Sequence, residues 1–309
     1  MKKKVFISTI PFGSTNSLPL ELLKKADIEY EINPYGRRIK QEELIAHLEE
    51  VDCLVAGTEL INEEVLKKTK SLKAISRVGV GIDNIDVEYA KKSGISILTT
   101  PDAPSEAVAE YALGLMLSMT RKIYESSILL SEGVWKKNIG TGIQDSTIGV
   151  IGAGRIGKKL MKLVSSFSPK KILFFDPLFD EDLQEIKATN VSFNFLIENS
   201  DIISIHVPLS QSTKGLISIS ELKAMKSNSL IINTSRGGIV NEKDLYTALN
   251  ENMIGGAAID VFTEEPYKGD LIGLENCLLT PHISSMTAVS REKMEIDAVE
   301  QAIEYLKNS

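Results

Sequence analysis

Short apolar runs alternate with helical patterns along the first third of the chain. VFISTI (5–10) precedes LELLKKA (20–26), VDCLVAG (51–57) precedes INEEVLKKT (61–69), and LKAISRVG (72–79) precedes DVEYAKKSG (86–94) before ISILTT (95–100) closes the series. Strands that alternate with helices build a parallel sheet with helices on its faces. Pro101 and Pro104 interrupt the pattern, and 106–130 then predicts one helix far longer than its neighbours. A second series begins at TIGVIGAG (147–154). It continues through ILFFD (172–176), ISIHVP (203–208), LIINTS (230–235), GAAIDVF (256–262) and LLTPH (278–282). Val289, Met294, Ala298, Ile303 and Leu306 recur at helical spacing with no strand after them. That segment should pack as a helix on a layer already built.

At 309 residues the chain is long for a single core, so two domains are expected. A composition of 43% hydrophobic and 25% charged residues is that of an ordinary soluble globular protein. A net charge of −7 argues against a nucleic-acid or anionic-membrane partner, which would favour a basic face. Cys53 and Cys277 form neither a CxxC pair nor a zinc spacing, which points to a reducing, cytoplasmic setting. The N-terminal VFISTI is too short for a signal sequence and reads as the first strand. The longest apolar segment, 107–119, carries Glu110 and falls short of a membrane span.

GAGRIG (152–157) fits G-x-G-x-x-G, follows the strand pattern IGVI and opens the helical KKLMKLVSSF. Asp176 ends the next strand, about 20 residues on. In that context the motif marks a dinucleotide site. Gly152 makes the tight turn, Gly154 lets a pyrophosphate approach the backbone, and Gly157 lets helix and strand pack closely. The phosphates would then meet the positive end of the helix. Asp176 would accept from ribose hydroxyls and repel a 2′-phosphate, which favours NAD over NADP.

In a doubly wound sheet, ligands bind outside the carboxyl ends of the strands. LIINTS ends at Arg236, GAAIDVF runs on to Glu264 and Glu265, and the strand before Pro281 ends at His282. Oxidising a hydroxy acid needs a hydride acceptor, a base near neutrality and a cation for the substrate carboxylate. Histidine suits the proton, a neighbouring carboxylate orients the ring, and arginine suits the acid. Spacing alone does not choose between Glu264 and Glu265. His47 reads as a surface residue of an amphipathic helix, and His206 either lines the cofactor or caps the sheet. There is no G-x-S-x-G elbow and no H-E-x-x-H, so acyl-transfer and metal chemistry are not indicated.

These features together resemble the D-2-hydroxyacid dehydrogenases, and most of all the phosphoglycerate dehydrogenase branch. The matching stretches are RVGVGIDNID (77–86), AEYALGLML (109–117), GVIGAGRIG (149–157), HVPLSQSTKGLI (206–217), NTSRGGIVNEKDL (233–245), AAIDVFTEEP (257–266) and PHISSMT (281–287). The resemblance implies two doubly wound α/β domains. A flavodoxin-like substrate domain spans 1–99 and 284–309, and a Rossmann NAD-binding domain spans 100–283. It implies closure of the two over substrate, and a homodimer through the long helix of the NAD-binding domain. It assigns the substrate carboxylate to Arg236, acid/base work to His282, and support of His282 to Glu265. Arg155, Ile156, His206, Val207, Pro208, Thr213, Thr234, Ser235 and Asp260 join the glycines and Asp176 around NAD, with Arg236 and His282 at its reactive end. Val80 and Gly81 supply backbone N–H groups to the substrate.

The resemblance makes 3-phosphoglycerate the first expectation for the substrate. The alternatives are another small acid (glyoxylate, hydroxypyruvate, lactate) or a non-catalytic NAD(H)-sensing scaffold. One departure bears on that choice. Phosphoglycerate enzymes often carry an arginine just after the VDCLV-type strand, where this chain has Ala56-Gly57-Thr58. A substrate phosphate would then need Arg37, Arg38, Arg77, Lys136 or Lys137.

Overall fold

The computed structural model describes residues 2–179 and 183–308, and the chain divides into two compact units. Unit 1 comprises 1–104 and 286–309, and unit 2 comprises 105–285.

In unit 1 the strands are β1 (Lys4–Ile7), β2 (Glu29–Ile32), β3 (Cys53–Ala56), β4 (Ala74–Arg77) and β5 (Ser96–Thr99). They are parallel, in the order β2-β1-β3-β4-β5. The helices α1 (Leu18–Lys25), α2 (Gln41–His47), α3 (Glu63–Lys68) and α4 (Val87–Lys92) connect them. Asn62 and Asp86 cap α3 and α4 by accepting from the Val65 and Tyr89 N–H groups. Strand alternation feeds two apolar layers. Val5, Ile7, Cys53 and Val55 point to one, while Phe6, Leu54 and Ala56 point to the other.

Unit 2 begins with α5 (Ser105–Thr120) and α6 (Ile123–Ser131). Its strands are β6 (Thr147–Ile151), β7 (Lys171–Phe175), β8 (Ala188–Asn190), β9 (Ile202–Ile205), β10 (Leu230–Asn233), β11 (Gly256–Ile259) and β12 (Cys277–Leu279). Between them run α7 (Arg155–Ser165), α8 (Phe193–Asn199), α9 (Ile219–Ala224) and α10 (Glu242–Asn250). The sheet is parallel, in the order β12-β11-β10-β9-β6-β7-β8. The chain leaves β6 first towards β7 and later returns to β9 on its other side. The β6–β9 boundary is therefore the topological switch point, where a doubly wound sheet opens a ligand crevice.

The terminal helix α11 (Ala288–Asn308) returns to unit 1. Its Met294, Ala298, Val299, Ala302 and Leu306 complete the layer formed by Val5, Ile7 and Cys53. This is the packing its orphan apolar stripe required.

The structure corrects several expectations. The single helix over 106–130 is two helices, broken where Lys122 takes φ 54°. The carbonyl of Thr120 accepts from the Thr141 N–H, and Gly140 lies against the Thr120 carbonyl. A returning segment thus takes over the helix end, which the uninterrupted apolar pattern does not show. Helix α6 buries none of its residues, and Ile123, Tyr124, Ile128 and Leu130 are exposed. Strands β2 and β8 add edges that the sequence pattern did not mark. His47 is not a plain surface residue. Its ring stacks on Phe6 with centroids 4.6 Å apart, and its Nδ1 lies 3.1 Å from a Glu31 carboxylate oxygen. Among the described residues, no helix is long and apolar enough to cross a membrane.

Candidate active site

The glycine turn sits between β6 and α7. Gly152 takes φ +95°, and a Cβ there would lie 2.5 Å from the His206 carbonyl oxygen. A Cβ on Gly157 would lie 2.0 Å from the Gly152 oxygen, so the first turn of α7 rests directly on the strand end. Gly154 differs, because a Cβ there would meet nothing within 4 Å. It is the N-cap of α7 and provides no side-chain cap. The first turn, Arg155 and Ile156 included, therefore presents a helix N-terminus to open space, which is the requirement for an incoming phosphate. Asp176 lies at the end of β7. One of its carboxylate oxygens accepts from the Ala153 N–H at 2.9 Å and the other from the Leu178 N–H at 3.0 Å. It ties the glycine turn to the β7 end.

On the other side of the switch point, the His206 N–H donates to the Ile151 carbonyl at 2.7 Å. The His206 Nε2 lies 2.9 Å from the Ser204 hydroxyl, and burial pushes the imidazole pKa down to about 4. The ring is therefore neutral at physiological pH. Its Nδ1 is buried without a hydrogen-bond partner, and so is the Thr234 hydroxyl one strand over. Two orphaned polar atoms at adjacent strand ends fit a bound polar cofactor, since buried polar groups ordinarily find partners. The Val207 side chain packs against Gly152. The Thr213 hydroxyl donates to the Pro208 carbonyl at 2.6 Å, and the Ser235 hydroxyl donates to the Ile205 carbonyl. These bonds stiffen the loops after β9 and β10.

Arg236 follows β10, and the loop that holds it is built by a residue the sequence reading missed. Asn233, 1% exposed, accepts from the Ser235 N–H and donates to the Arg236 carbonyl, both at 3.0 Å. The available signal was a polar residue ending the buried strand LIIN. The Arg236 Nη1 donates to the Ser235 carbonyl at 2.6 Å. Gly237 is the closest approach in the region: a Cβ there would lie 1.9 Å from the Phe262 carbonyl carbon. The Arg236 loop is thus pressed against the loop that carries Glu265. The Thr263 N–H, in turn, donates to Glu242 at the start of α10, at 2.7 Å.

His282 and Glu265 are brought together. Nδ1 lies 2.9 and 3.1 Å from the two Glu265 carboxylate oxygens, and the oxygen at 3.1 Å also accepts from the Phe262 N–H at 3.1 Å. A carboxylate only accepts, so Nδ1 carries the proton and Nε2 remains as the exchanging position. Both side chains are about three-tenths exposed, at 30% and 27%. His282 itself takes φ +55°, a backbone region few non-glycine residues adopt. Asp260, fully buried, holds it there. It accepts from the Thr280 hydroxyl at 2.7 Å and from the Ile283 and Ser284 N–H groups at 3.0 and 2.9 Å. Both oxygens of Asp260 face the histidine turn, a positioning role that spacing could not reveal. Glu264 makes no such contact with the imidazole.

Val80 and Gly81 lie in unit 1, in the loop after β4. Gly79 opens that loop at φ +139°, and its N–H donates to the Thr100 hydroxyl at 2.9 Å. Val80 is 44% exposed. Of the cations expected for a phosphate, Arg37 is paired with Glu43, and Arg77 is buried and donates to the Val78 carbonyl. Arg38 donates to the Thr58 carbonyl. Lys136 lies 3.9 Å from Glu125, in the other unit. No cluster of three metal-ligating side chains occurs among the described residues.

Residues 113–284 match the NAD-binding domain of the D-isomer specific 2-hydroxyacid dehydrogenases. The chain is 38% identical to a glyoxylate reductase of Thermococcus litoralis, covering 99% of this chain and 95% of that protein. It is also 38% identical to a D-3-phosphoglycerate dehydrogenase of Methanocaldococcus jannaschii, over 87% of this chain but 52% of that protein. A solved D-lactate dehydrogenase from Aquifex aeolicus, complexed with NAD and lactic acid, matches with a TM-score of 0.87 at 26% identity, covering 99% of this chain and 96% of that one. Likeness over nearly the whole of both chains is thus to a protein named a glyoxylate reductase, while the phosphoglycerate dehydrogenase is matched over about half its length. By these matches the chain is an NAD-dependent oxidoreductase, and it belongs to the D-isomer specific 2-hydroxyacid dehydrogenase family.

Proposed function

We propose that the protein reduces a short 2-keto acid, glyoxylate or hydroxypyruvate, to the D-2-hydroxy acid, and runs the reverse oxidation on the same residues. The observation that carries the reading is the His282–Glu265 pair, with Nδ1 committed to the carboxylate at 2.9 Å. NAD, when bound, exchanges the hydride. Nε2 of His282 supplies the proton to the ketone oxygen, and takes it back from the hydroxyl in oxidation. Glu265 fixes the orientation of the ring through Nδ1. Arg236 holds the substrate carboxylate with a guanidinium, which matches that anion in charge and geometry. Val80 and Gly81, in the loop after β4 of unit 1, are assigned as backbone N–H donors to a substrate carboxylate. Ala56-Gly57-Thr58 carries no cation, which supports a substrate without a distal phosphate. The exposed apolar face of α6 fits a second copy of the chain as partner.

The test is NADH oxidation against a panel of 2-keto acids. Glyoxylate or hydroxypyruvate is expected to give the highest kcat/KM. A preference for 3-phosphohydroxypyruvate would sink the small-acid reading, and no turnover with any acid would sink the reaction.

Asp176 is assigned to the adenosine ribose. Replacing it with alanine removes the charge that repels a 2′-phosphate. The NADP-to-NAD ratio of kcat/KM is expected to rise about tenfold, the change from one charge contact. An unchanged ratio would place the ribose elsewhere.

A further inference from the structure

Unit 1 holds a buried carboxylate to which the proposed reaction assigns no role. Glu59 is 3% exposed and lies just past the carboxyl end of β3. The Gly57 N–H donates to its two oxygens at 3.0 and 3.1 Å, and the Ser8 hydroxyl donates to one of them. No basic side chain pairs with it among the described residues. Its surroundings leave no room for one at position 57, where a Cβ would lie 2.8 Å from the Thr9 hydroxyl and 2.9 Å from a Glu59 oxygen.

The Glu59 loop is fastened to the loop that carries Val80 and Gly81. The Asn84 side-chain amide donates to the Glu59 carbonyl at 2.6 Å and to the Gly57 carbonyl at 3.3 Å. The Ile61 N–H donates to the Asn84 carbonyl at 2.8 Å, and the Val78 N–H to that of Ala56 at 2.9 Å. The loop of Glu59 and the loop of the backbone donors assigned to the substrate carboxylate are therefore tied together.

We infer that Glu59 is a specificity-determining residue, which rejects 2-keto acids carrying a second anionic group and leaves those with a neutral end. The inference rests on the substrate reading given above for Val80 and Gly81. A phosphate or second carboxylate brought to this edge would meet a charge shielded from water, and repulsion weakens little where solvent is excluded. A hydrogen atom or a hydroxymethyl group carries no such cost. Two other charges stand nearby. Arg38 is exposed and donates to the Thr58 carbonyl, so solvent and salt screen it more than they screen Glu59. Arg291 reaches the Thr9 hydroxyl at 3.1 Å, but its Nε is paired with the buried Glu295 at 2.6 Å.

The test is the ratio of kcat/KM for 3-phosphohydroxypyruvate over hydroxypyruvate, measured with NADH. Glu59→Gln keeps the shape and an acceptor but removes the charge, and should raise the ratio roughly tenfold or more. An unchanged ratio, including a parallel loss with both acids, overturns the inference and makes Glu59 a scaffold for its loop. Thr58→Lys, at an exposed position, keeps the question open to test if the buried variant does not fold. It should raise the same ratio, and no rise would mean that the distal group does not come near this edge. Arg38→Ala should leave the ratio unchanged, and a collapse would transfer the discrimination to Arg38. If the wild type already prefers 3-phosphohydroxypyruvate, the small-acid reading itself fails. If the wild type prefers hydroxypyruvate and Glu59→Gln changes nothing, only the inference about Glu59 fails.

Discussion

Replacing His282 with alanine is expected to lower kcat by about 10²–10⁴, the range for a positioned acid/base. The argument is geometric. Glu265 accepts a hydrogen bond from the Nδ1 N–H, Asp260 locks the backbone at φ +55°, and Nε2 is left to exchange with substrate. Alanine removes the proton donor and nothing in the loop replaces it. The loss should appear in kcat and in kcat/KM together, because the proton moves in the transition state. Single-turnover rates with NADH and glyoxylate measure it. A decrease of less than tenfold would remove His282 from proton transfer.

Replacing Gly237 with alanine is expected to destabilise the protein by about 3 kcal/mol, the upper range for forced overpacking. A Cβ there would lie 1.9, 2.1 and 2.3 Å from the carbonyl carbon and oxygen of Phe262 and the nitrogen of Thr263. All three are backbone atoms, so no side chain can swing away. The chain must part the loop of Arg236 from the loop of Glu265, so activity should fall with stability. Gly238 provides the internal comparison. Its φ is +79°, but the nearest atom to a Cβ is 3.7 Å away, so alanine there should cost only the backbone strain of about 1 kcal/mol. Urea midpoints of the two variants check the contrast. Equal midpoints would mean that the Gly237 contact relaxes without cost.

Much of the fold was legible because its strands are buried on both faces. IGVI, ILFF and GAAI are apolar throughout, IISI and LIIN carry one polar residue each, and the alternation with helices marks a parallel sheet. The strands that escaped notice are edges. Glu29–Ile32 alternates exposed and half-buried positions, and Ala188–Asn190 has three residues. Neither has the apolar content by which the central strands declare themselves. The break at Lys122 was hidden because apolar residues continue past it. They remain in solvent on α6 rather than joining the core.

The site divides in the same way. The order of residues alone determined the dinucleotide turn, because G-x-G-x-x-G between strand and helix follows from local backbone constraints. It also brought Arg236, Glu265 and His282 forward as charges at strand ends. Spacing could not choose Glu265 over Glu264, since neighbours in sequence differ only in where the folded loop aims them. Only the tertiary structure put Nδ1 of His282 on Glu265 and turned Asp260 onto the His282 backbone. It also separated the roles of the two glycines after Arg236: Gly237 serves close contact with Phe262, while Gly238 takes the left-handed turn. The physical reason is that such roles depend on distances of a few ångströms between segments apart in sequence, and those distances exist only once the seven-stranded sheet has formed.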